Sequence, residues 1–342
     1  MQTTIKELID ISQYAGARAD YTQGGGGNTS VKDEKSGLMF IKASGYRLKD
    51  ITVDNAFVAV NKKAISDYYE SVDISVKKDY EKESAEVSKS SVVALDGLPV
   101  LRPSVEVGFH AILKKYVIHT HSVYANILTC SMEGEKIAEE IFADKDFGFV
   151  FLPYINPGFE LTLAMKKAIG NYEKEKGLYP EVIFMKNHGL VVNSDNLDRV
   201  KSVNEIVNET IRKRFNLTDN FDKVSLNKTE TGFVSKTAVV NEFVSKNGLT
   251  KDFLDKNPLY PDQLVYLNNI LQFSPEKLQV KDDKVFYETD EKQAVTLEET
   301  LAAYLFVITA VKNAGLTLSK MNEKEVYFIN HWEAEKYRRS VK

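Results

Sequence analysis

Tyr116-Val117-Ile118-His119-Thr120-His121-Ser122 holds the most informative pair of residues in the chain. Apolar residues lead into it, so it reads as a short strand between polar turns. On a strand, residues two apart point to the same face. His119 and His121 then aim at one point, while Ile118 and Thr120 face the other way. That suits two ligands of one metal ion. A third histidine, His188, follows the apolar Val182–Met185 and precedes Gly189. A histidine leaving a strand end beside a glycine can turn into a site. Three histidines with an open position form a catalytic zinc pattern. On spacing alone, structural histidines packed in a core remain an alternative.

Upstream lies Arg102-Pro103-Ser104-Val105-Glu106, leading into a helical pattern over Val105–Tyr116. Ser104 suits an N-cap, and Glu106 suits the first turn by complementing the helix dipole. Glu106 also suits a general base beside a metal, and it shares a helix face with His110. Further upstream, Gly24-Gly25-Gly26-Gly27-Asn28-Thr29-Ser30-Val31-Lys32 has neither the lysine step of a nucleotide P-loop nor dinucleotide-type glycine spacing. It is a tight turn or an anion cradle to which Lys32 adds charge. Lys42-Ala43-Ser44-Gly45 reads as a strand end entering a turn, with hydroxyl and backbone donors available.

Short apolar segments at Leu38–Ile41, Ala56–Val60, Val117–Ile118, Gly148–Leu152 and Val182–Met185 alternate in part with helical patterns such as Leu161–Tyr172. Mixed strands and helices predict an α/β or α+β sheet domain. Val200, Val203, Val207 and Ile211 form a helical stripe that closes it. The polar run 62–91 reads as a solvated excursion, and 216–248 as a linker region. Thr296 and Glu299 suggest a capping box for a helix ending near Gly315. These features place a sheet domain over 1–235 and a smaller α+β domain over 240–342. In the latter, His331 and Trp332 read as packing residues rather than a cap over a site.

With 342 residues and 43% hydrophobic content, the chain can bury a sizeable core. A net charge of −4 gives no case for a nucleic-acid or anionic-membrane partner. One cysteine, Cys130, cannot form an internal disulfide. No signal-peptide pattern or bilayer-length apolar run is evident. A cytoplasmic protein is expected.

Taken together and in order, Gly27-Asn28-Thr29-Ser30, Ser44-Gly45, Ser104-x-Glu106-x-x-x-His110, His119-Thr120-His121-Ser122 and Asn187-His188-Gly189 resemble the class II aldolase/adducin-head family. The resemblance covers about residues 1–215. It is nearest to the aldolase portion of proteins that fuse a rhamnulose-phosphate-aldolase-like region to a dehydrogenase. Pro261-Asp262-Gln263 also looks like that group. The chain stops near Trp332–Glu335, about where the dehydrogenase would begin, so oxidoreductase activity is expected to be absent.

The resemblance implies a three-layer α/β/α sheet domain. It implies metal ligation by His119, His121 and His188, with zinc first and manganese, cobalt or iron as alternatives. It assigns Glu106 as acid/base and a phosphorylated sugar as substrate, in a homo-oligomer. Gly27, Asn28, Thr29, Lys42, Ser44, Gly45 and Ser104 are the expected substrate and phosphate positions. Fuculose-phosphate aldolases carry serine where this chain has Val105, so one phosphate contact is expected to be missing or to be supplied by Lys42 or Lys32. The implied reaction is reversible aldol cleavage through a metal-stabilised enediolate. An epimerase or dehydratase of the same family, a Schiff-base aldolase and a non-catalytic adducin-like module are the alternatives.

Overall fold

Strand alternation decides which layer each side chain joins. The computed structural model describes residues 1–217, 221, 224–268 and 277–332. Eight strands form the main sheet: β1 (Asn28–Asp33), β2 (Leu38–Lys42), β3 (Phe57–Asn61), β4 (Val92–Val93), β5 (Tyr116–Thr120), β6 (Gly148–Leu152), β7 (Pro180–Met185) and β8 (Gly189–Ser194). Their order is β4-β3-β2-β1-β5-β8-β7-β6. Neighbours are antiparallel except β6 and β7.

Val31, Phe40, Ala59, Ile118, Phe184 and Val192 enter one core, with helices Gln2–Gly16, Val123–Thr129 and Leu197–Arg214. Met39, Ile41, Val58, Val60, Val117, Ile183 and Val191 point to the opposite face. There they meet helices Lys62–Ser71, Val107–Ile112 and Phe159–Lys176. The result is the expected α/β/α arrangement. The predicted stripe Val200, Val203, Val207 and Ile211 is fully buried. Each such side chain stabilises the fold by about 1.5–3 kcal/mol.

The run 62–91 is not a solvated excursion. It forms helices Lys62–Ser71 and Tyr80–Ser90, and it buries Ile65, Tyr69 and Ser84. Tyr68, Tyr69 and Tyr80 pack on Phe159, and Glu81 accepts a 2.8 Å hydrogen bond from the Phe159 backbone N–H. Aromatic anchors scattered among charges hid this packing from the sequence pattern.

Burial pushes the Glu81 carboxyl up to about 7, against the Phe159 and Glu160 backbone N–H groups, which pull it down. A raised carboxyl pKa contributes stability below its unfolded value, and that contribution is lost as pH rises through the folded value. Wild-type stability should therefore drop by about 1–3 kcal/mol between pH 5 and pH 8 through this group. Glu81→Gln should flatten that part of the curve in urea titrations. An unchanged slope would contradict it.

The C-terminal part is a smaller α+β unit. Its sheet runs β11 (Leu278–Lys281), β12 (Lys284–Tyr287), β10 (Phe233–Ser235), β9 (Leu226–Lys228). Thus the linker-like 216–248 contains β9, β10 and helix Ala238–Asn247. Three-residue strands are too short to show alternation.

Helix Glu291–Asn313 starts earlier than expected, with the Asp290 carboxylate accepting from the Gln293 N–H at 2.9 Å. Thr296 and Glu299 therefore lie inside it and form no capping box. The capping box that exists is Asn322 with Glu325, on helix Glu323–His331.

Contrary to expectation, the 23-residue helix Glu291–Asn313 is long and apolar enough to cross a membrane by length and composition. It is a core helix instead: Leu301, Tyr304, Leu305, Ile308 and Val311 share one apolar cluster with Leu8 and Ile118. Two of its charges, Glu298 and Glu299, are buried. Glu298 is buried and accepts from Ser235 Oγ (2.6 Å) and from the Tyr287 hydroxyl. The expected fusion boundary, from Glu333 onward, lies outside the described residues.

Candidate metal centre

β5 carries His119 and releases His121 at its end, while the turn between β7 and β8 carries His188. All three are buried, and their ligating atoms lie within 4.8 Å of one another. Asn187 makes the turn with φ 52°, a left-handed conformation that asparagine tolerates. Its side chain donates to the carbonyls of Leu259 (2.8 Å) and Ser319 (2.9 Å), and it accepts from Ser319 Oγ at 2.9 Å.

Hydrogen bonding fixes which nitrogens face inward. His119 Nδ1 is 3.0 Å from the Leu190 carbonyl, which can only accept, so that nitrogen carries the proton. His121 Nδ1 donates in the same way to Asp262 Oδ2 at 2.5 Å. Both rings then turn Nε2 inward, and these two atoms stand 3.1 Å apart. With both rings neutral, as metal ligation requires, two lone pairs would face each other at that distance and a cation between them would relieve their repulsion. Two nitrogens bound to one tetrahedral zinc would be separated by about 3.3 Å. Burial pushes the His119 imidazole down to about 3, against the pull of Glu106, so its lone pair is available at neutral pH. The donor set fits a divalent cation.

Glu106 precedes helix Val107–Ile112 and sits against this cluster. Its Oε2 is 3.5 Å from His119 Nε2, and its Oε1 is 3.3 Å from His188 Nε2. Oε2 also accepts from Asn28 Nδ2 at 2.6 Å, while Oε1 is buried without a hydrogen bond. Burial would raise its pKa, but His119, His188 and Asn28 hold it well below the usual carboxylate range. The carboxylate is thus ionised and fixed at one oxygen. Behind it, Asn28 also donates to Ser104 Oγ (3.0 Å), and its carbonyl oxygen meets His110 Nε2. His110 Nδ1 lies 2.7 Å from Ser30 Oγ. His110 is therefore a buried orienting residue of this chain of bonds.

A cleft opens beside the cluster. Gly27, Asn28, Lys42, Ser44, Gly45, Ser104, Glu106, His121 and His188 line it. Lys42 Nζ donates to the carbonyls of Gly25 (2.9 Å) and Tyr46 (2.7 Å) at its edge.

Two expected contributors do not reach the cleft. Thr29 alternates to the other face of β1, where its hydroxyl is 2.6 Å from Ser12 Oγ. Lys32 is buried and donates to the Lys114 carbonyl at 2.5 Å, and burial lowers its pKa well below the usual range. The glycine run is not a mere turn. A Cβ on Gly26 would fall 2.3 Å from Asp262 Oδ2 and 2.8 Å from His121 Nδ1.

Four contributors were missed in the sequence. Asp262 and Pro261 enter from the C-terminal part, and Trp332 lines the cleft rather than only packing on Phe328. His331 does not line the cleft; it is exposed and stacks on the exposed Tyr327, so it is not the packing residue expected. Glu299 spans the two parts of the chain: it accepts from the Gly24 N–H (2.8 Å) and pairs with Arg47 (2.9 Å). Apart from the family-like Pro261-Asp262-Gln263, no local signal marks these residues: Asp262 meets His121 across 141 residues and Glu299 meets Gly24 across 275.

Residues 6–214, more than half of the chain, match the family model of the class II aldolase and adducin N-terminal domain. A curated relative, the "uncharacterized oxidoreductase YuxG" of Bacillus subtilis (strain 168), is 29% identical over 195 residues. That match covers 55% of this chain and 26% of the relative, so the chain spans about a quarter of its length. Among solved structures, the N-terminal class II aldolase domain of a conserved protein from Thermoplasma acidophilum superposes with a TM-score of 0.50 at 24% identity. The superposition covers 61% of this chain and 92% of that one. An L-fuculose 1-phosphate aldolase gives 0.42 at 23% identity, over 65% of this chain and 89% of that one.

Proposed function

Because the chain belongs to the class II aldolase and adducin N-terminal domain family, we propose that it is a metal-dependent lyase that reversibly cleaves a phosphorylated ketose or related sugar. The observation that carries this is the buried cluster of His119, His121 and His188, whose ligating atoms lie within 4.8 Å of one another beside the ionised Glu106. A scaffold module has no use for such a buried set of metal-ligating side chains.

His119, His121 and His188 would hold a divalent cation, with zinc the first choice, and it would supply Lewis-acid stabilisation of the negative charge left by carbon–carbon cleavage. Glu106 handles the proton at the nucleophilic carbon. In condensation it removes that proton, and in cleavage it returns it. Its ionisation suits the first task, and the buried Oε1 without a hydrogen bond is the oxygen placed to take the proton. Asn28 holds the other oxygen and so keeps the carboxylate from rotating. At the cleft mouth, Lys42, Ser44, Gly45 and Ser104 supply the charge and donors for a phosphate. Val105 adds no hydroxyl there, and Lys42 is the cleft lysine that replaces it.

Trp332 walls the cleft beside Pro157 and Pro261. Trp332→Ala should raise KM for the sugar phosphate about tenfold with little change in kcat, since an aromatic wall contributes uniform binding. An unchanged KM would place the indole outside the substrate's reach.

The reaction class is tested by supplying ketose 1-phosphates to the zinc-loaded protein and following dihydroxyacetone phosphate release with a coupled dehydrogenase. Release that stops on chelation supports the lyase. Substrate that is inverted without net cleavage identifies an epimerase instead. Borohydride inactivation in the presence of substrate identifies a Schiff base.

A further inference from the structure

The C-terminal part is tied into the metal centre at two of the three histidines. Asp262 is 2% exposed and meets His121 Nδ1 at 2.5 Å. It stands on the short turn Pro261–Gln263, whose proline sets the first helical position. Gln263 pins that turn: its Oε1 accepts from the Leu259 N–H at 2.7 Å, and its Nε2 donates to Leu254 O and Asn257 O at 3.2 Å each. Opposite, Asn187 is held by Leu259 and Ser319, which fixes the turn that presents His188. The missing Cβ of Gly26 leaves the room that the Asp262–His121 pair occupies.

We infer that Asp262 is a positioning residue for the metal centre: its carboxylate takes the Nδ1–H of His121 and so commits Nε2 to the cation. The inference rests on the metal-site reading above, but not on the identity of the reaction. A carboxylate behind a ligating imidazole fixes the tautomer and ring orientation and raises its basicity. With Asp262, the segment after residue 240 completes the site rather than merely accompanying it.

The test measures Zn²⁺ and Co²⁺ affinity of the full chain against a chromophoric chelator, in wild type, Asp262→Asn and Asp262→Ala. Removing such a partner weakens metal binding by about 10- to 100-fold. We expect that loss in Asp262→Ala, a smaller loss in Asp262→Asn, and a changed Co²⁺ visible spectrum in both. Thermal melting of the metal-free proteins separates this from misfolding, because the isosteric Asn variant should melt near wild type. Wild-type affinity in a folded Asp262→Asn and Asp262→Ala pair would overturn the inference while leaving the metal site intact. A wild type that binds neither cation would overturn both. Failure of sugar-phosphate cleavage alone would touch only the reaction.

Discussion

Glu106→Gln should keep the cation and lose about 10²–10⁴-fold in kcat. The substitution preserves shape, so the hydrogen bond to Asn28 can persist through the amide oxygen. What it removes is the carboxylate that stands between His119 and His188, placed to accept a proton. The loss should fall on kcat rather than on KM, because proton transfer acts in the transition state. Metal content by elemental analysis and steady-state kinetics check both halves. Normal turnover in the variant would remove Glu106 from the reaction. Loss of metal from it would make the carboxylate a ligand first and a base second.

His119→Ala should abolish metal binding and reduce turnover by at least about 10³-fold, because the Lewis acid contributes several kcal/mol. His119 is the best placed of the three to show this. It is fully buried on β5, its Nδ1 is held by the Leu190 carbonyl, and its Nε2 stands 3.1 Å from His121 Nε2. Truncation also leaves a cavity, so His119→Gln serves as the fuller-sized variant, and melting curves report whether either has unfolded. Stoichiometric zinc in folded His119→Gln would mean that the cation sits elsewhere.

Local pattern carried β2, β3, β5, β6 and β7 but not β1, β4 or β8, which the glycine run, a two-residue length and the histidine turn obscured. His119-Thr120-His121 was legible because a period of two puts both rings on one face and because β5 is buried on both sides. Glu106 was legible from its place at a helix start, although Ser104 is not the N-cap expected: the helix begins at Val107, Glu106 itself occupies the cap position, and no side chain caps it. The same period explains the two misplaced residues. Asn28 and Ser30 share a face of β1, so Thr29 must leave it, and Lys32 lies too far along the strand to return to the cleft. The C-terminal contributions were not legible. Asp262 meets His121 across 141 residues and Glu299 meets Gly24 across 275, and no local propensity encodes either contact. Glu299 looked like a cap because its spacing from Thr296 mimics one. The helix instead begins at Glu291, and the carboxylate is used to bind Gly24 and Arg47.

The most direct measurement is condensation of dihydroxyacetone phosphate with small aldehydes by the purified chain, before chelation, after it, and after readdition of Zn²⁺ or Mn²⁺. A metal-dependent lyase built on His119, His121 and His188 should form a new ketose 1-phosphate, lose that ability when stripped, and regain it with one equivalent of cation per chain. Condensation that persists undiminished in the metal-free protein would contradict the account.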